Sequence, residues 1–141
     1  MTDALAGKVA IITGASSGVG EAAARGFAQA GARVVLAARS GEKIASLAQQ
    51  LGGLAVTTDV SRFDDLQALV DRTLAAFGRI DVLVNNAAAN TRGDLDALDP
   101  QGIATVIDTN LKAPLLLTRL ALPHLRATQG VVVNVASIAG H

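Results

Sequence analysis

The chain has 141 residues, of which 50% are hydrophobic and 17% are charged, and its 12 basic residues balance 12 acidic ones. This composition is typical of one globular domain and excludes a disordered chain, and the balanced charge gives no electrostatic reason to expect a nucleic-acid or anionic-membrane partner. The sequence has no cysteine, which excludes disulfides and thiolate metal sites, and we expect no bound metal.

The amino-terminal stretch MTDALAGKVAIITGASSG carries an acid before its apolar run and is unlike a secretory signal. The longest apolar patch, APLLLTRLALP, is interrupted by Thr118, Arg119 and two prolines, and it is too short to span a bilayer. We therefore expect a cytoplasmic protein without a membrane partner.

Short apolar runs alternate with longer segments of helical spacing. The runs at 9–13, 34–38, 54–58, 82–85 and 131–135 are typical of strands buried on both faces of a parallel sheet. The first helix is predicted over 19–30, closed by Gly31. The second is predicted to begin at Ser40 and to be ended by Gly52 and Gly53, and the third to begin at Ser61 and stop at Gly78.

A fourth and longest helix is predicted to begin at Asp99 and Pro100 and to run to about Arg126. Its predicted buried side consists of Ile103, Val106, Ile107, Leu111 and Leu115. The whole pattern is βαβαβαβαβ, and right-handed crossovers then give an α/β fold with a Rossmann-type, doubly wound parallel sheet of about five strands in the order 3-2-1-4-5. We expect residues 1–141 to form a single domain.

A glycine-rich loop, TGASSGVG, lies between the first strand and the first helix. Gly14, Gly18 and Gly20 allow a tight turn, a close approach of backbone to a pyrophosphate, and close packing of helix on sheet. The N–H groups at the start of the helix would then face the phosphates. Glycine-rich turns also occur in α/β proteins that bind nothing, but strand, glycines and helix here stand in the order that a dinucleotide site requires.

The end of the second predicted strand indicates which dinucleotide is bound. An acid at this position takes the adenosine ribose hydroxyls of NAD, whereas a basic residue accommodates the 2′-phosphate of NADP. The sequence here is LAARS, which has no acid and presents Arg39 followed by Ser40. Arginine suits bidentate phosphate binding, so we expect NADP in preference to NAD, with NAD still possible. The alternative is that Arg39 is a solvated surface residue.

Five segments together resemble the short-chain dehydrogenase/reductase family. TGASSGVG (13–20) is similar to its TGxxxGxG loop, TTDV (57–60) to its Asp-Val adenine contact, and VNNAA (84–88) to its NNAG strand end with alanine in place of glycine. DTNLKAP (108–114) resembles the segment with the family's helix asparagine, and VNVASIAG (133–140) resembles the strand with its catalytic serine. The likeness covers the whole chain but only about the first half of a usual family member.

The resemblance implies hydride transfer between a nicotinamide ring and a carbonyl or alcohol carbon of a small-molecule substrate. Its implied catalytic residues are Ser137, which orients the substrate, and Asn110, whose backbone carbonyl holds a water. Together with Arg39 and Ser40, the expected cofactor-binding residues are Gly14, Ser16, Ser17, Gly18, Val19, Gly20, Asp59, Val60, Asn86, Ala87 and Ala88.

Pro114 follows Asn110 by four residues. In a regular helix the N–H at 114 would bond to the carbonyl at 110, and proline has no N–H. The Asn110 carbonyl would then be available to a water. Equally, Pro114 could serve only to bend a long helix around the core.

The family's Tyr-x-x-x-Lys pair, in which the lysine lowers the pKa of a tyrosine acid or base, should follow Ser137. The chain ends four residues after Ser137 and contains no tyrosine. We therefore expect a family member truncated before that motif, which binds cofactor but shows negligible turnover as an isolated chain. His141 titrates in a suitable range for a substitute base, but a terminal residue is rarely held in place. The alternatives are a non-catalytic dinucleotide-binding sensor or interaction module, and a shortened enzyme with a different base.

The same truncation predicts self-association. Without the family's later helices, the fifth strand becomes an edge and the long helix loses its neighbour, and exposed apolar faces of this kind favour contact with another chain. We expect a homo-oligomer paired through the long helix or the edge of the fifth strand.

Overall fold

The computed structural model describes residues 3–137, which form a five-stranded parallel sheet with helices on both faces. The strands are β1 (Val9–Thr13), β2 (Arg33–Ala38), β3 (Leu54–Thr57), β4 (Val82–Asn85) and β5 (Val131–Asn134). The helices are α1 (Gly18–Gln29), α2 (Gly41–Leu51), α3 (Phe63–Phe77), α4 (Pro100–Ile107) and α5 (Ala113–Thr128). The strand order β3-β2-β1-β4-β5 confirms the order predicted from the sequence.

Alternate residues of the strands point into two separate apolar cores. Ile11 and Leu83 belong to the core beneath α3 and α5, whereas Ile12 and Leu36 belong to the core beneath α1 and α2. All four side chains are fully buried. The central strands β1, β2 and β4 are covered on both faces, so their sequences are continuous apolar runs and not alternating ones. The edge strand β5 is largely exposed.

The long helix is divided in two. A π turn, Asp108–Lys112, separates α4 from α5, and the Ala113 N–H donates to the Asp108 carbonyl, five residues back, where a regular helix would use Thr109. Pro114 supplies no N–H to the Asn110 carbonyl. The interruption of the long helix near Pro114 is therefore a turn that contains one extra residue.

The predicted buried side of the long helix is wrong. Ile103, Ile107, Leu111 and Leu115 are between 42% and 65% exposed, and Val106 is half-buried. The buried side of α5 instead consists of Ala113, Leu117, Ala121 and Leu125. Both sides of the helix are apolar, and the side with alternating alanines approaches the sheet because its short side chains allow close packing.

The predicted helix starts at Ser40 and Asp99 are confirmed and the one at Ser61 is wrong. Asp99 caps α4, because its Oδ1 accepts a hydrogen bond of 2.6 Å from the Gly102 N–H. Ser61 does not cap α3, since its hydroxyl donates to Asp59 Oδ1 at 2.6 Å and Arg62 occupies the N-cap position. The serine is held in the preceding turn, one residue before the cap.

A buried carboxylate joins β1 to β4 at the amino edge of the sheet. Asp81 is 4% exposed, and its Oδ2 accepts hydrogen bonds from the Val9 N–H at 2.9 Å and from Arg79 Nε at 2.8 Å. Its Oδ1 accepts from Arg79 Nη2 at 2.7 Å and lies 3.8 Å from Lys8 Nζ. Two partly exposed cations thus balance one buried charge.

No helix between residues 3 and 137 is both long and apolar enough to cross a membrane. Within the same range, the structure brings together no group of three or more His, Cys, Asp or Glu side chains that could hold a metal ion.

Candidate functional site

An open cleft of about 620 Å³ lies at the carboxyl edge of the sheet, above the ends of β1, β2 and β4. Strand order reverses between β1 and β4, and ligands of open α/β sheets bind at such a switch point. The predicted cofactor residues that line the cleft are Gly14, Ser16, Ser17, Arg39, Ser40, Asp59, Val60, Asn86, Ala87 and Ala88. The fold therefore brings together most of the residues that the sequence predicted to bind cofactor.

The other three predicted cofactor residues, Gly18, Val19 and Gly20, begin α1 beside this cleft. Ser17 occupies the N-cap position of α1, and no side chain in the described part of the molecule makes a capping hydrogen bond there. The positive end of the helix dipole is therefore presented at the margin of the cleft.

The glycine-rich loop has the shape of a phosphate cradle. Gly14 has φ 62°, and a Cβ built on it would lie 2.9 Å from both Ala87 Cα and Asn86 Nδ2. A Cβ on Gly20 would collide with the Gly14 carbonyl oxygen, so α1 packs against the loop with no room for a side chain. At Gly18, with φ 55°, a Cβ would meet none of the described atoms within 4 Å. The backbone there is open to a ligand.

Thr13 holds the glycine-rich loop to the loop after β4. Its Oγ1 accepts hydrogen bonds from the backbone N–H groups of Asn86 at 2.9 Å and Ala87 at 3.0 Å. In return, Asn86 Nδ2 donates to the carbonyls of Thr13 and Gly14, both at 3.2 Å. Sequence reasoning missed Thr13, and the available signal was a threonine ending an otherwise apolar buried strand.

Arg39 and Asp59 bring opposite charges to the side of the cleft above β2 and β3. Arg39 is exposed directly after β2, and Asp59 is half-buried after β3. The pKa of Asp59 is lowered, chiefly by the hydrogen bond from the Ser61 hydroxyl. Partial burial raises this pKa, but the Ser61 N–H and the charges of Arg39 and Arg62 also lower it. Asp59 is therefore a carboxylate near neutral pH and can accept hydrogen bonds from a ligand.

Asn110 lies in the π turn and fastens the loop after β4. Its Oδ1 accepts from the Ala89 N–H at 2.8 Å, and its Nδ2 donates to the Ala89 carbonyl at 2.7 Å. The paired bonds imitate those between two strands. The Asn110 side chain thus fixes the position of Ala89, which the sequence did not predict. The predicted water site is a separate feature, because it concerns the backbone carbonyl of Asn110.

Ser137 is exposed three residues beyond the end of β5, and neither it nor Asn110 lines the cleft. The chain between β5 and Ser137 is held to β4 by one hydrogen bond, in which the Val135 N–H donates to the Asn85 carbonyl at 3.0 Å. His141, considered as a substitute base, lies outside the described residues.

Comparison with known proteins agrees with this geometry. The sequence profile of the family described as short chain dehydrogenase matches residues 8–141. L-fucose dehydrogenase of Mus musculus is 38% identical over 136 residues, which cover 95% of this chain and 50% of that protein. The chain spans about half the length of the curated relatives it matches.

Similar solved structures include complexes with nicotinamide dinucleotides. A metagenomic short-chain oxidoreductase in complex with NADP has a TM-score of 0.89 and 42% identity, covering 97% of this chain and 65% of its own. A 3-ketoacyl-(acyl-carrier-protein) reductase from Brucella melitensis complexed with NADH has a TM-score of 0.88 and 35% identity, covering 94% of this chain and 58% of its own. The resemblance read from the motifs is confirmed, and this chain belongs to the short-chain dehydrogenase family.

Proposed function

We propose that residues 1–141 are the dinucleotide-binding domain of an NADP-dependent oxidoreductase that acts on a carbonyl or alcohol. The observation that carries this proposal is the position of Arg39 and Ser40 in the cleft, at the end of a strand that carries no acid. A guanidinium and a hydroxyl can bind a ribose 2′-phosphate, whereas NAD calls for an acid at this position.

The residues present fit a pyrophosphate. The open backbone at Gly18 and the uncapped start of α1 supply N–H groups and a positive dipole end for two phosphates. A side chain at Gly14 or Gly20 would clash, so the close approach of loop and helix depends on glycine. When bound, the nicotinamide would donate or accept the hydride, and this chain's own residues would bind and orient the dinucleotide.

Asp59 and Val60 are proposed to contact the adenine, with Asp59 accepting a hydrogen bond as a carboxylate. The backbone of Asn86, Ala87 and Ala88 is proposed to follow the nicotinamide ribose, because Thr13 holds this loop against the glycine-rich loop.

Ser137 and Asn110 are proposed as the catalytic residues of this chain. Ser137 would donate a hydrogen bond to the substrate oxygen, and the Asn110 carbonyl would hold a water, since Pro114 gives it no helical N–H partner. The sequence has no tyrosine to act as the family's acid or base. We therefore expect the isolated chain to bind cofactor and to show negligible turnover.

Equilibrium titration with NADPH and NADH tests the cofactor proposal. Hydrogen bonds to a charged group contribute about 1.5–3 kcal/mol, so Arg39→Ala should weaken NADPH binding roughly 10- to 150-fold. NADH affinity should be unchanged. Arg72→Ala, an exposed arginine of α3 that does not line the cleft, is the matched control. Equal weakening of NADPH and NADH by Arg39→Ala, or no weakening of either, would refute the proposal.

We also infer that the chain forms a homo-oligomer through the exposed side of the long helix. Four large apolar side chains at four-residue spacing lie on it: Ile103, Ile107, Leu111 and Leu115. Charge favours antiparallel pairing of two copies, because the helix begins at an acid, Asp99, and its last turn carries Arg126. Leu111→Glu should produce a monomer in sedimentation, whereas Phe63→Glu, at an exposed apolar residue of α3, should not. A wild-type monomer at micromolar concentration would contradict this inference.

A further inference from the structure

The register of β5 is not set by its apolar pattern. Its residues pair with β4 as Val131 with Val82, Val132 with Leu83, Val133 with Val84, and Asn134 with Asn85. In most strands a one-residue slip would move apolar side chains out of the core. Here three successive valines occupy both faces, so a slip of one residue would still place valine at two of these three positions, with Gly130 or Asn134 at the third.

The amino end of β5 is held separately. The Val131 N–H donates to the Asp81 carbonyl at 2.9 Å, and a Cβ on Gly130 would collide with that same oxygen. These contacts fix where the strand begins. They do not prevent a bulge further along, because a bulge inserts one residue into one strand and leaves the pairing before it intact.

An amide ladder holds the carboxyl end. Asn85 is 7% exposed, and its Nδ2 donates to Asn134 Oδ1 at 3.0 Å and to Thr118 Oγ1 of α5 at 3.2 Å. If β5 slipped or bulged, a valine would stand opposite Asn85, and a buried amide would lose one of its two acceptors. Burial makes that loss more unfavourable than it would be in water.

Ser137 depends on this register because it lies three residues beyond Asn134. Between them, the Val135 N–H donates to the Asn85 carbonyl at 3.0 Å, which extends the pairing past the end of the strand. A slip of one residue would move the following backbone by about 3.3 Å and turn each side chain to the opposite face.

We propose that Asn85, Asn134 and Thr118 fix the register at the carboxyl end of β5 and so position Ser137. All three are positioning residues and not catalytic ones. The register itself stands on the described contacts alone, and only the role of Ser137 rests on the proposed function.

Nuclear magnetic resonance of the full chain tests the proposal with Asn134→Val, which turns 131–135 into five consecutive valines. We expect a second set of β5 resonances, loss of cross-strand contacts between Val133 and Val84, and amide exchange at Val135 about ten-fold faster than in the wild type. Asn134→Asp keeps an oxygen for Asn85 and should restore the native contacts. A single native register in Asn134→Val, or equal disturbance by Asn134→Asp, would overturn the proposal.

Two further variants separate register from strand stability. Val131→Thr, at an exposed valine of the same strand, should leave the exchange at Val135 unchanged; an equal acceleration would show general fraying and would refute the proposal. If Asn134→Val fails to fold, Thr118→Val removes the other acceptor and should accelerate the same exchange, while Thr118→Ser should not. Titration of the wild type with NADPH is independent of these results, so its failure would remove the proposed function and leave the register standing.

Discussion

Replacement of Asp81 by asparagine should destabilise the fold by an amount that follows from its surroundings. The variant keeps the shape of the side chain but removes the charge shared with Arg79 and Lys8, which are 43% and 44% exposed. Charge-assisted hydrogen bonds contribute about 1.5–3 kcal/mol, and exposure of both cations reduces the total loss to about 2 kcal/mol. For a chain of this size that corresponds to a melting temperature lower by about 8 °C.

The effect should also depend on pH. Burial raises the pKa of Asp81, but hydrogen bonds from Arg79 and the Val9 N–H, with the charges of Arg79 and Lys8, outweigh it, so the folded-state pKa lies below the ordinary value of 3.8. A depressed carboxyl pKa stabilises the folded state above the unfolded-state pKa, and this contribution is lost as pH falls through the folded-state pKa. The free energy of unfolding of the wild type should therefore exceed that of Asp81→Asn by a constant amount near neutrality. This difference should shrink below about pH 4.

Urea unfolding followed by circular dichroism at neutral and acidic pH measures both effects. Asp71→Asn is the matched control, because Asp71 is an exposed carboxylate of α3 that accepts one hydrogen bond from Gln67. Its effect should stay within about 0.5 kcal/mol, as for ordinary surface substitutions. A difference for Asp81→Asn as small as that of the control, or one that grows on acidification, would refute the reasoning.

Two other substitutions test the site. Gly20→Ala places a methyl group against the Gly14 carbonyl, which must move and so displaces the glycine-rich loop from its binding geometry. Overpacking typically costs about 1–3 kcal/mol, so NADPH binding should weaken roughly 5- to 150-fold. Gly26→Ala, where a Cβ meets none of the described atoms within 4 Å, should leave binding unchanged. Thr13→Val removes an acceptor from two half-buried N–H groups and should lower the free energy of unfolding by about 1–2 kcal/mol, as urea titration would measure. Thr13→Ser should retain most of that stability, and equal losses in both threonine variants would contradict the hydrogen-bonding role.

The three central strands could be predicted from the sequence because burial on both faces requires a continuous apolar run. The edge strands β3 and β5 have the same apolar composition although they are partly exposed. The apolar runs matched β1 to β5 within one residue at each end, and their alternation with helices was sufficient for the order of the sheet. The glycine-rich loop could also be predicted from the sequence, because its glycines act through local backbone geometry.

Contacts between distant parts of the chain could not be predicted from the sequence. Thr13 bonds to residues 73 and 74 positions away, and Asn110 bonds to a residue 21 positions away, so no local pattern indicates either role. The buried side of α5 was missed for a different reason. Periodicity identifies an apolar side of a helix, and when a helix has two, only the tertiary packing decides between them.

The π turn restricts how the length of this segment can vary. Each residue advances a helix by about 100°, so deletion of one residue from Asp108–Lys112 would restore a regular helix and rotate its two halves relative to each other. Either Asn110 would turn away from Ala89, or Leu117 would turn away from the core. Insertions and deletions should therefore be tolerated in the exposed segment 92–94, beyond the residues that Thr13 and Asn110 hold, and not in this turn.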